Sequence, residues 1–269
     1  MKEGFFTERG ISYRVSELSE ERPTLVFIHG LSGNSSAWRP YEDKLAGRYN
    51  ILNIDLRGHG RSKRWPRYDD YTLPLFGEDI ALLLSHLSIT RYSIVAHCFG
   101  GLVALELLRK RGDAEKFIML APEFGLRRLT RTRLTKTALA LAVKFFSLFQ
   151  HGVAPGQRVD YEKFGYTPDW DPRRITADIL DTGIATYLFC LDHGYRYEDE
   201  QEWAKVSVPT FIVHGKRDTY IPVEHAVELS HLLPHAKLQI LESANHILIL
   251  NNVSEISSAI EKFLQDQSV

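Results

Sequence analysis

Short apolar runs alternate with longer helix-like segments along most of this chain, and this alternation limits the folds that the chain can adopt. The apolar runs occupy residues 24–28, 50–56, 91–96, 116–120, 210–213 and 237–241. The helix-like segments occupy residues 35–48, 73–87, 99–111, 223–233 and 253–264. Strands that are apolar throughout are buried on both faces by helices, so the pattern predicts an α/β fold with an open, doubly wound and mostly parallel sheet.

Two parts of the chain depart from the alternation. The region near Phe5 and residues 11–15 flank an Arg9-Gly10 turn and predict an antiparallel hairpin. Between about 123 and 203 no strand pattern occurs, and we interpret this stretch as a helical cap inserted over the carboxyl edge of the sheet. We therefore expect a core domain of residues 1–122 and 204–269 and a cap of residues 123–203.

The predicted cap carries an uneven charge. Residues 124–150 contain six basic residues and no acidic one, whereas residues 160–202 contain eleven acids and four bases. Two faces of the cap that are exposed to solvent would produce this charge pattern. A basic edge of the cap that attracts amphiphilic or anionic substrates would produce it as well. The basic part also holds large apolar residues, namely Leu139, Leu141, Phe145, Phe146, Leu148 and Phe149. These side chains suggest a substrate with an apolar acyl group, although burial against the core domain would explain them as well.

Composition argues against several other classes of protein. The 269 residues carry 33 Lys and Arg against 34 Asp and Glu, so we expect no nucleic-acid partner. No apolar run reaches the roughly 18 residues that a membrane span needs, which argues against an integral membrane protein. The first residues have no signal-peptide pattern and the two cysteines make no disulfide framework, so we expect a cytoplasmic protein. The chain has too few cysteines for a cysteine-rich zinc site, and it has no HExxH motif. We therefore expect no metal and no cofactor.

The strongest candidate for a catalytic group is Cys98, in the segment IVAHCFGGL of residues 94–102. An apolar strand ends here, and small residues lead from a sharp turn into a helix. A nucleophile in a strained turn needs small flanking residues because its neighbours lie close to other backbone. The amino terminus of the following helix is expected to lower the pKa of the thiol. The alternative is that Cys98 is a small buried side chain without a catalytic role.

This segment resembles the nucleophile elbow of the α/β-hydrolase fold family, whose usual form is G-x-S-x-G. Ala96 stands in place of the first glycine, and Cys98 stands in place of the serine. Dienelactone hydrolases, some thioesterase domains and polyhydroxyalkanoate synthases carry cysteine at this place in the same fold. An engineered replacement of a native serine would leave the same sequence.

Other landmarks of the family occur in the same order along the chain. Residues 27–33, FIHGLSG, resemble the loop that supplies half of an oxyanion hole, and the resemblance implies backbone N–H donors at Leu31 and Phe99. The residues beside these donors are expected to contact the substrate, namely His29, Gly30 and His97. The later segment DLRGHGRS resembles the family's D-x-R-G-x-G-x-S loop, in which Asp55 and Arg57 are expected to brace neighbouring loops.

The resemblance also assigns an acid and a base. Asp218, in HGKRDTYIP, stands where the family places its acid, although a turn-forming Asp ahead of a proline would look the same. Glu123 is the alternative acid, because some relatives use the position after the 116–120 run. His246, in SANHI after the last strand, is the base, and the order nucleophile, acid, base matches the family. Asn245 replaces the usual glycine there, and Asn tolerates a left-handed backbone.

Together these residues predict hydrolysis of a carboxylic ester or thioester through a covalent acyl-enzyme. Cys98 would attack the acyl carbonyl, His246 would take its proton, and Asp218 would orient the imidazole. A thioester acyl-enzyme also favours amine and thiol acceptors, so acyl transfer to an alcohol, amine or thiol is the alternative reaction. A catalytically silent fold that serves as a binding module is a third possibility. In either enzymatic case the expected partner is a small-molecule acyl substrate.

Overall fold

A sheet of eight strands forms the centre of the molecule. The computed structural model describes residues 1–124, 133–149, 153–197 and 200–266. The strands are β1 Lys2–Phe6, β2 Ile11–Val15, β3 Thr24–Ile28, β4 Asn50–Ile54, β5 Tyr92–His97, β6 Phe117–Leu120, β7 Thr210–Gly215 and β8 Ala236–Leu241. Across the sheet they lie in the order β1-β2-β4-β3-β5-β6-β7-β8.

Strands β3 to β8 pair in parallel, and β1 and β2 add an antiparallel hairpin at one edge. In the parallel part, Val26 pairs with Leu52 on one side and with Ile94 on the other. Gly10 has a φ of +66° in the hairpin turn, a backbone conformation that glycine adopts readily. The predicted α/β class, the mostly parallel sheet and the hairpin are confirmed.

Helices cover both faces of the sheet. They are α1 Arg39–Leu45, α2 Leu73–His86, α3 Phe99–Arg111, α4 Arg133–Ser147, α5 Pro172–Thr182, α6 Ile184–Arg196, α7 Glu200–Trp203, α8 Val223–Leu232, α9 Leu248–Asn251 and α10 Val253–Gln265. Because successive side chains on a strand point to opposite faces, Leu25 and Phe27 pack with α1 and α10, whereas Val26 and Ile28 pack with α2 and α3. In the part of the chain that the structure describes, no helix has both the length and the apolar content that crossing a bilayer requires.

The predicted element boundaries shift at two places for local reasons. Residues 35–48 divide into a 3-10 turn at Ser35–Trp38 and the helix α1, because Pro40 has no N–H with which to continue the preceding turn. The run 50–56 ends as a strand at Ile54. The next residue, Asp55, turns inward and accepts a hydrogen bond from the backbone N–H of Ser35 at 2.8 Å.

The described residues between 123 and 203 include no strand and contain the helices α4 to α7. We propose that this insertion acts as a cap over the carboxyl edge of the sheet. Its attachment to the core includes Arg158, whose Nε donates to Oδ2 of Asp55 at 2.8 Å and whose Nη1 pairs with Glu3 at 2.7 Å. The side chains of Arg158 and Asp55 are 3% and 0% exposed, so removal of Arg158 would leave the buried Asp55 carboxylate without this cation.

Candidate active site

Cys98 lies in a sharp turn between β5 and α3. Its backbone φ is +50°, which L-residues rarely adopt, so the turn is strained. The Cys98 N–H donates to the carbonyl of Leu120 on the neighbouring strand at 3.0 Å, which ties the turn to the sheet. A Cβ on Gly100 would lie 2.6 Å from the carbonyl oxygen of His29, so only glycine fits at that position. The strained turn expected from the small residues of this segment is therefore present.

The thiol of Cys98 is held in its protonated form by its surroundings. Burial, and then the charge of Glu123, raise its pKa well above the ordinary value, and Asp218 adds to the rise. The backbone N–H groups of Phe99 and Leu31 interact with the sulfur and oppose the rise, which places both expected oxyanion donors beside it. The helix amino terminus acts in the expected direction, since the N–H of Phe99 lowers the thiol pKa, but desolvation and the two carboxylates outweigh it and the net shift is upward.

A hydrogen bond joins His246 to Asp218, from Nδ1 of the imidazole to Oδ2 of the carboxylate, at 2.7 Å. The other carboxylate oxygen accepts from the backbone N–H groups of Tyr220 and Ile221, each at 2.8 Å. Burial raises the pKa of Asp218, but the hydrogen bond and charge of His246 outweigh it, so the pKa lies below its ordinary value. The charged carboxylate keeps the imidazole proton on Nδ1, which makes Nε2 the nitrogen that can accept a proton.

Asp169, in the insertion, connects the two loops that carry Asp218 and His246. Its Oδ1 accepts from the backbone N–H of His246 at 2.8 Å. Its Oδ2 accepts from the backbone N–H of Thr219 at 2.8 Å and from the hydroxyl of the same residue at 2.7 Å. Sequence reasoning missed this residue, because nothing distinguishes Asp169 from the other acids of residues 160–202.

Asn245 acts through its side chain and not through a left-handed backbone. Asn245 is not among the described non-glycine residues with a positive φ. The expectation that a left-handed backbone lets Asn replace the usual glycine here is therefore wrong. Its Oδ1 accepts from the backbone N–H of Ile247 at 3.1 Å and from the amide of Asn251 at 2.9 Å. Its Nδ2 donates to the carbonyl of Thr167 at 3.0 Å. The amide therefore fixes the loop before His246 and joins that loop to the insertion.

His29, Gly30 and His97 all line the cavity above Cys98, as expected for residues near the substrate. The His29 ring is occupied, because Nδ1 donates to the carbonyl of Gly30 at 2.8 Å and Nε2 accepts from the backbone N–H of Leu56 at 2.9 Å. His97 donates from Nε2 to the carbonyl of His246 at 3.1 Å. Burial lowers the pKa of His29 to about 4 and that of His97 to about 3, so both rings are neutral near pH 7. Both rings therefore hold loops together, and His29 can touch a substrate only through its ring carbons.

Asp55 and Arg57 brace loops, as the sequence predicts. Besides its pair with Arg158, Asp55 accepts from the backbone N–H of Arg61 at 3.1 Å. Nε and Nη2 of Arg57 each donate to the carboxylate of Asp79 at 2.8 Å. Neither Asp55 nor Arg57 lines the cavity.

A cavity of about 720 Å³ opens above Cys98 between the core and the insertion. Its apolar side chains include Leu31, Ile175, Ile179, Leu191, Ile247 and Leu250. The six large apolar residues of 139–149 do not line it. Leu139 and Phe146 pack against the core, and the other four are exposed. Those six residues therefore give no support to the expected apolar acyl group, whereas the cavity itself has an aliphatic lining from other parts of the chain.

One wall of the cavity is polar and belongs to the insertion. Asp178 accepts from the hydroxyl of Tyr161 at 2.7 Å and from Nη1 of Arg174 at 2.8 Å. Burial raises the pKa of Asp178 to about 6, although Arg174 and Tyr161 oppose the rise. In the part of the chain that the structure describes, no cluster of three or more His, Cys, Asp or Glu side chains is arranged to hold a metal ion.

A family model described as the alpha/beta hydrolase fold matches residues 23–253. The chain therefore belongs to the α/β-hydrolase fold family, and the resemblance found in the sequence is confirmed.

Individual relatives are distant. An uncharacterised protein of Mycobacterium tuberculosis is 25% identical over 93% of this chain and 78% of its own length. A Caulobacter protein named carbamate hydrolase RutD is 24% identical, over 93% of each chain. The solved enol-lactonase of Burkholderia xenovorans has a TM-score of 0.71 at 18% identity, covering 98% of this chain and 100% of that one. At this identity the last comparison establishes the fold alone.

The charge of Glu123 yields a prediction about the thiol. We expect Glu123→Gln to lower the pKa of Cys98, because removing a nearby anion favours the thiolate. Alkylation of Cys98 by iodoacetamide at mildly alkaline pH should then be faster, as measured by peptide mass spectrometry. Cys190, fully buried on α6, is an internal control and should react more slowly than Cys98 in both proteins. Glu242→Gln removes the same charge from an exposed side chain and should change nothing. Faster labelling of Cys190, or an unchanged rate at Cys98, would contradict this account.

Proposed function

We propose that the protein hydrolyses a carboxylic ester or thioester, with Cys98 as nucleophile, His246 as general base and Asp218 as the acid that orients the imidazole. The observation that carries the proposal is the 2.7 Å hydrogen bond between Asp218 and His246, together with the lining of one cavity by His246 and Cys98. The α/β-hydrolase family supports hydrolysis in general, and these residues supply the particular chemistry.

In the proposed reaction the thiol of Cys98 gives its proton to Nε2 of His246 as the sulfur attacks the acyl carbonyl. Because the surroundings keep the thiol protonated, the imidazole must act as a base during the attack. The oxyanion of the tetrahedral intermediate accepts hydrogen bonds from the backbone N–H groups of Leu31 and Phe99. The intermediate then collapses, the leaving group takes the proton from the imidazolium, and a thioester acyl-enzyme remains. A water molecule, activated by His246, attacks this thioester and releases the free acid.

The cavity supports a small substrate with an apolar acyl part. Its volume of about 720 Å³ and its aliphatic lining suit a small organic molecule. The polar wall around Arg174 and Asp178 offers hydrogen-bonding groups to the other end of such a molecule. One relative is named for carbamate hydrolysis and one structural neighbour for an enol-lactonase, and both names describe hydrolysis at a carbonyl carbon.

Acyl transfer is the second candidate, and the cysteine is what favours it. A thioester acyl-enzyme prefers amines and thiols over water as attacking groups. An oxygen-ester acyl-enzyme, which a serine would form, has a weaker preference for them. A binding module without catalysis is less well supported, because the candidate nucleophile, base and acid all carry competent side chains and the last two are already hydrogen-bonded.

Substitution of the acid tests the proposed triad. We expect Asp218→Asn to lower kcat about 10³- to 10⁴-fold, because the imidazole loses the anion that fixes its tautomer and stabilises its charged form. Glu123→Gln should change kcat by less than about tenfold, since that carboxylate acts on the thiol pKa and does not orient His246. Initial rates with p-nitrophenyl esters measure both effects, with circular dichroism as a check of folding. If the larger loss followed Glu123→Gln, the acid would have to be reassigned to Glu123.

Asp169 provides a second test, because it holds the two loops of the acid and the base together. We expect Asp169→Ala to lower kcat by about tenfold to a hundredfold through misplacement of Asp218 and His246. Asp171→Ala is the matched control, since Asp171 caps α5, where it accepts from the backbone N–H of Arg173 at 2.9 Å, and otherwise pairs with the exposed side chain of Arg173. Removing this cap should cost about 1 kcal/mol of stability without changing kcat. Equal losses of kcat in the two variants would show that Asp169 has no positioning role.

Product partitioning separates hydrolysis from transfer. At saturating acyl donor, increasing amounts of an amine, alcohol or thiol are added, and free acid and transfer product are measured. We expect water to capture nearly all acyl groups at every acceptor concentration. A rise in total turnover with a fall in free acid would instead establish acyl transfer. Cys98→Ser adds a check: under hydrolysis only the rate changes, whereas under transfer the products shift toward free acid.

A further inference from the structure

The outward side of α4 exposes four large apolar residues to solvent. Leu141, Phe145, Leu148 and Phe149 are 62%, 56%, 75% and 52% exposed. The helical turn continues past Ser147, because the N–H of Leu148 donates to the carbonyl of Phe145 at 3.1 Å. At helical spacing i, i+4, i+7 and i+8, these residues lie on one side of the helix. We call these four residues the α4 face.

This face is not needed to hold α4 on the protein. The helix packs against α6, and Leu139, Val143 and Phe146 join the main hydrophobic cluster. The α4 face is organised nonetheless, since the rings of Phe145 and Phe149 pack edge to face with centroids 5.0 Å apart. An exposed, contiguous apolar group of this size on a soluble protein usually marks a contact surface.

Charge indicates what the α4 face contacts. Lys136 and Lys144 are exposed on the same helix. Residues 124–150 carry six basic residues and no acid, although the whole chain has a net charge of −1. Large apolar side chains combined with lysines and arginines are the composition of helices that lie in the interface of an anionic bilayer. A two-fold contact through the α4 face would bring the Lys144 side chains of two copies close together, which their repulsion opposes.

We propose that the α4 face docks the protein on the surface of a bilayer that contains anionic lipid. The aromatic and leucine side chains would enter the headgroup region, and Lys144 would contact a lipid phosphate. Docking in this way involves no spanning segment.

The position of α4 connects this surface to the cavity. The helix α6, against which α4 packs, carries Tyr187, Leu191 and Tyr195 on the cavity wall. Packed helix axes lie about 8–10 Å apart, so the α4 face is one helix away from the cavity. An amphiphilic ester leaving the bilayer would have a short path to Cys98. This last consequence rests on the proposed function, whereas the docking itself does not.

Vesicle flotation of the full chain tests the proposal. We expect the protein to float with vesicles of phosphatidylcholine containing phosphatidylglycerol, and much less with phosphatidylcholine alone. Raising the salt from about 0.1 M to about 1 M should release it, since the Debye length falls from about 10 Å to about 3 Å. The double variant Phe145→Ser/Leu148→Ser should lower the partition coefficient by at least about tenfold. Lys144→Glu should lower it by about tenfold.

Matched controls remove similar groups elsewhere. Leu180→Ser replaces a leucine that is 66% exposed on α5, and it should leave flotation unchanged. Lys110→Glu reverses an exposed charge on α3 and should also have little effect. The double variant should keep its far-ultraviolet circular dichroism and its rate on a soluble p-nitrophenyl ester, so loss of docking and loss of the proposed activity are separate results.

Three outcomes would overturn the proposal. The wild-type protein could fail to float with anionic vesicles, or the double variant could float as well as the wild type. Sedimentation velocity could also show a wild-type dimer that the double variant loses, which would make the α4 face a contact between copies of the chain.

Discussion

The strained turn at Cys98 is the constraint on which the rest of the site depends. A φ of +50° is unfavourable for cysteine, and it persists because β5 before the turn and α3 after it are fixed by burial. The nearby glycines follow from the same crowding, since a Cβ on Gly30 would lie 3.3 Å from the Cβ of Cys98. The position of the thiol, the two N–H groups beside it and the floor of the cavity therefore come from one local arrangement.

Nearby charges set the protonation state of Cys98 and the position of His246. The partly exposed thiol beside Glu123 stays protonated, so as a nucleophile it would depend on a base more than a preformed thiolate would. His246, the proposed base, is held by Asp218 from the core and, through its backbone N–H, by Asp169 from the insertion. The insertion is thus part of the framework of the site and does more than cover it.

The uneven charge of the insertion has two different physical origins. Several acids of its second half are buried and hydrogen-bonded, as Asp169 and Asp178 show, because they fix loops or face the cavity. Lys144 of α4, in the first half, remains exposed beside the α4 face. Neither half is simply a solvated face. The acids have a structural role inside the protein, and the basic helix forms part of an apolar surface.

The sequence by itself determined the sheet and the helices that flank it, because strand burial and turn chemistry are local properties. Its motifs also singled out Cys98, His246 and Asp218, with Glu123 as the alternative acid, through their resemblance to the family. Only the tertiary structure revealed Asp169 and the raised pKa of the thiol. It also directed the apolar residues of α4 toward solvent and away from the cavity. Burial, the approach of charges and the direction of a helix face depend on contacts between segments far apart in the chain, and no local pattern encodes those contacts.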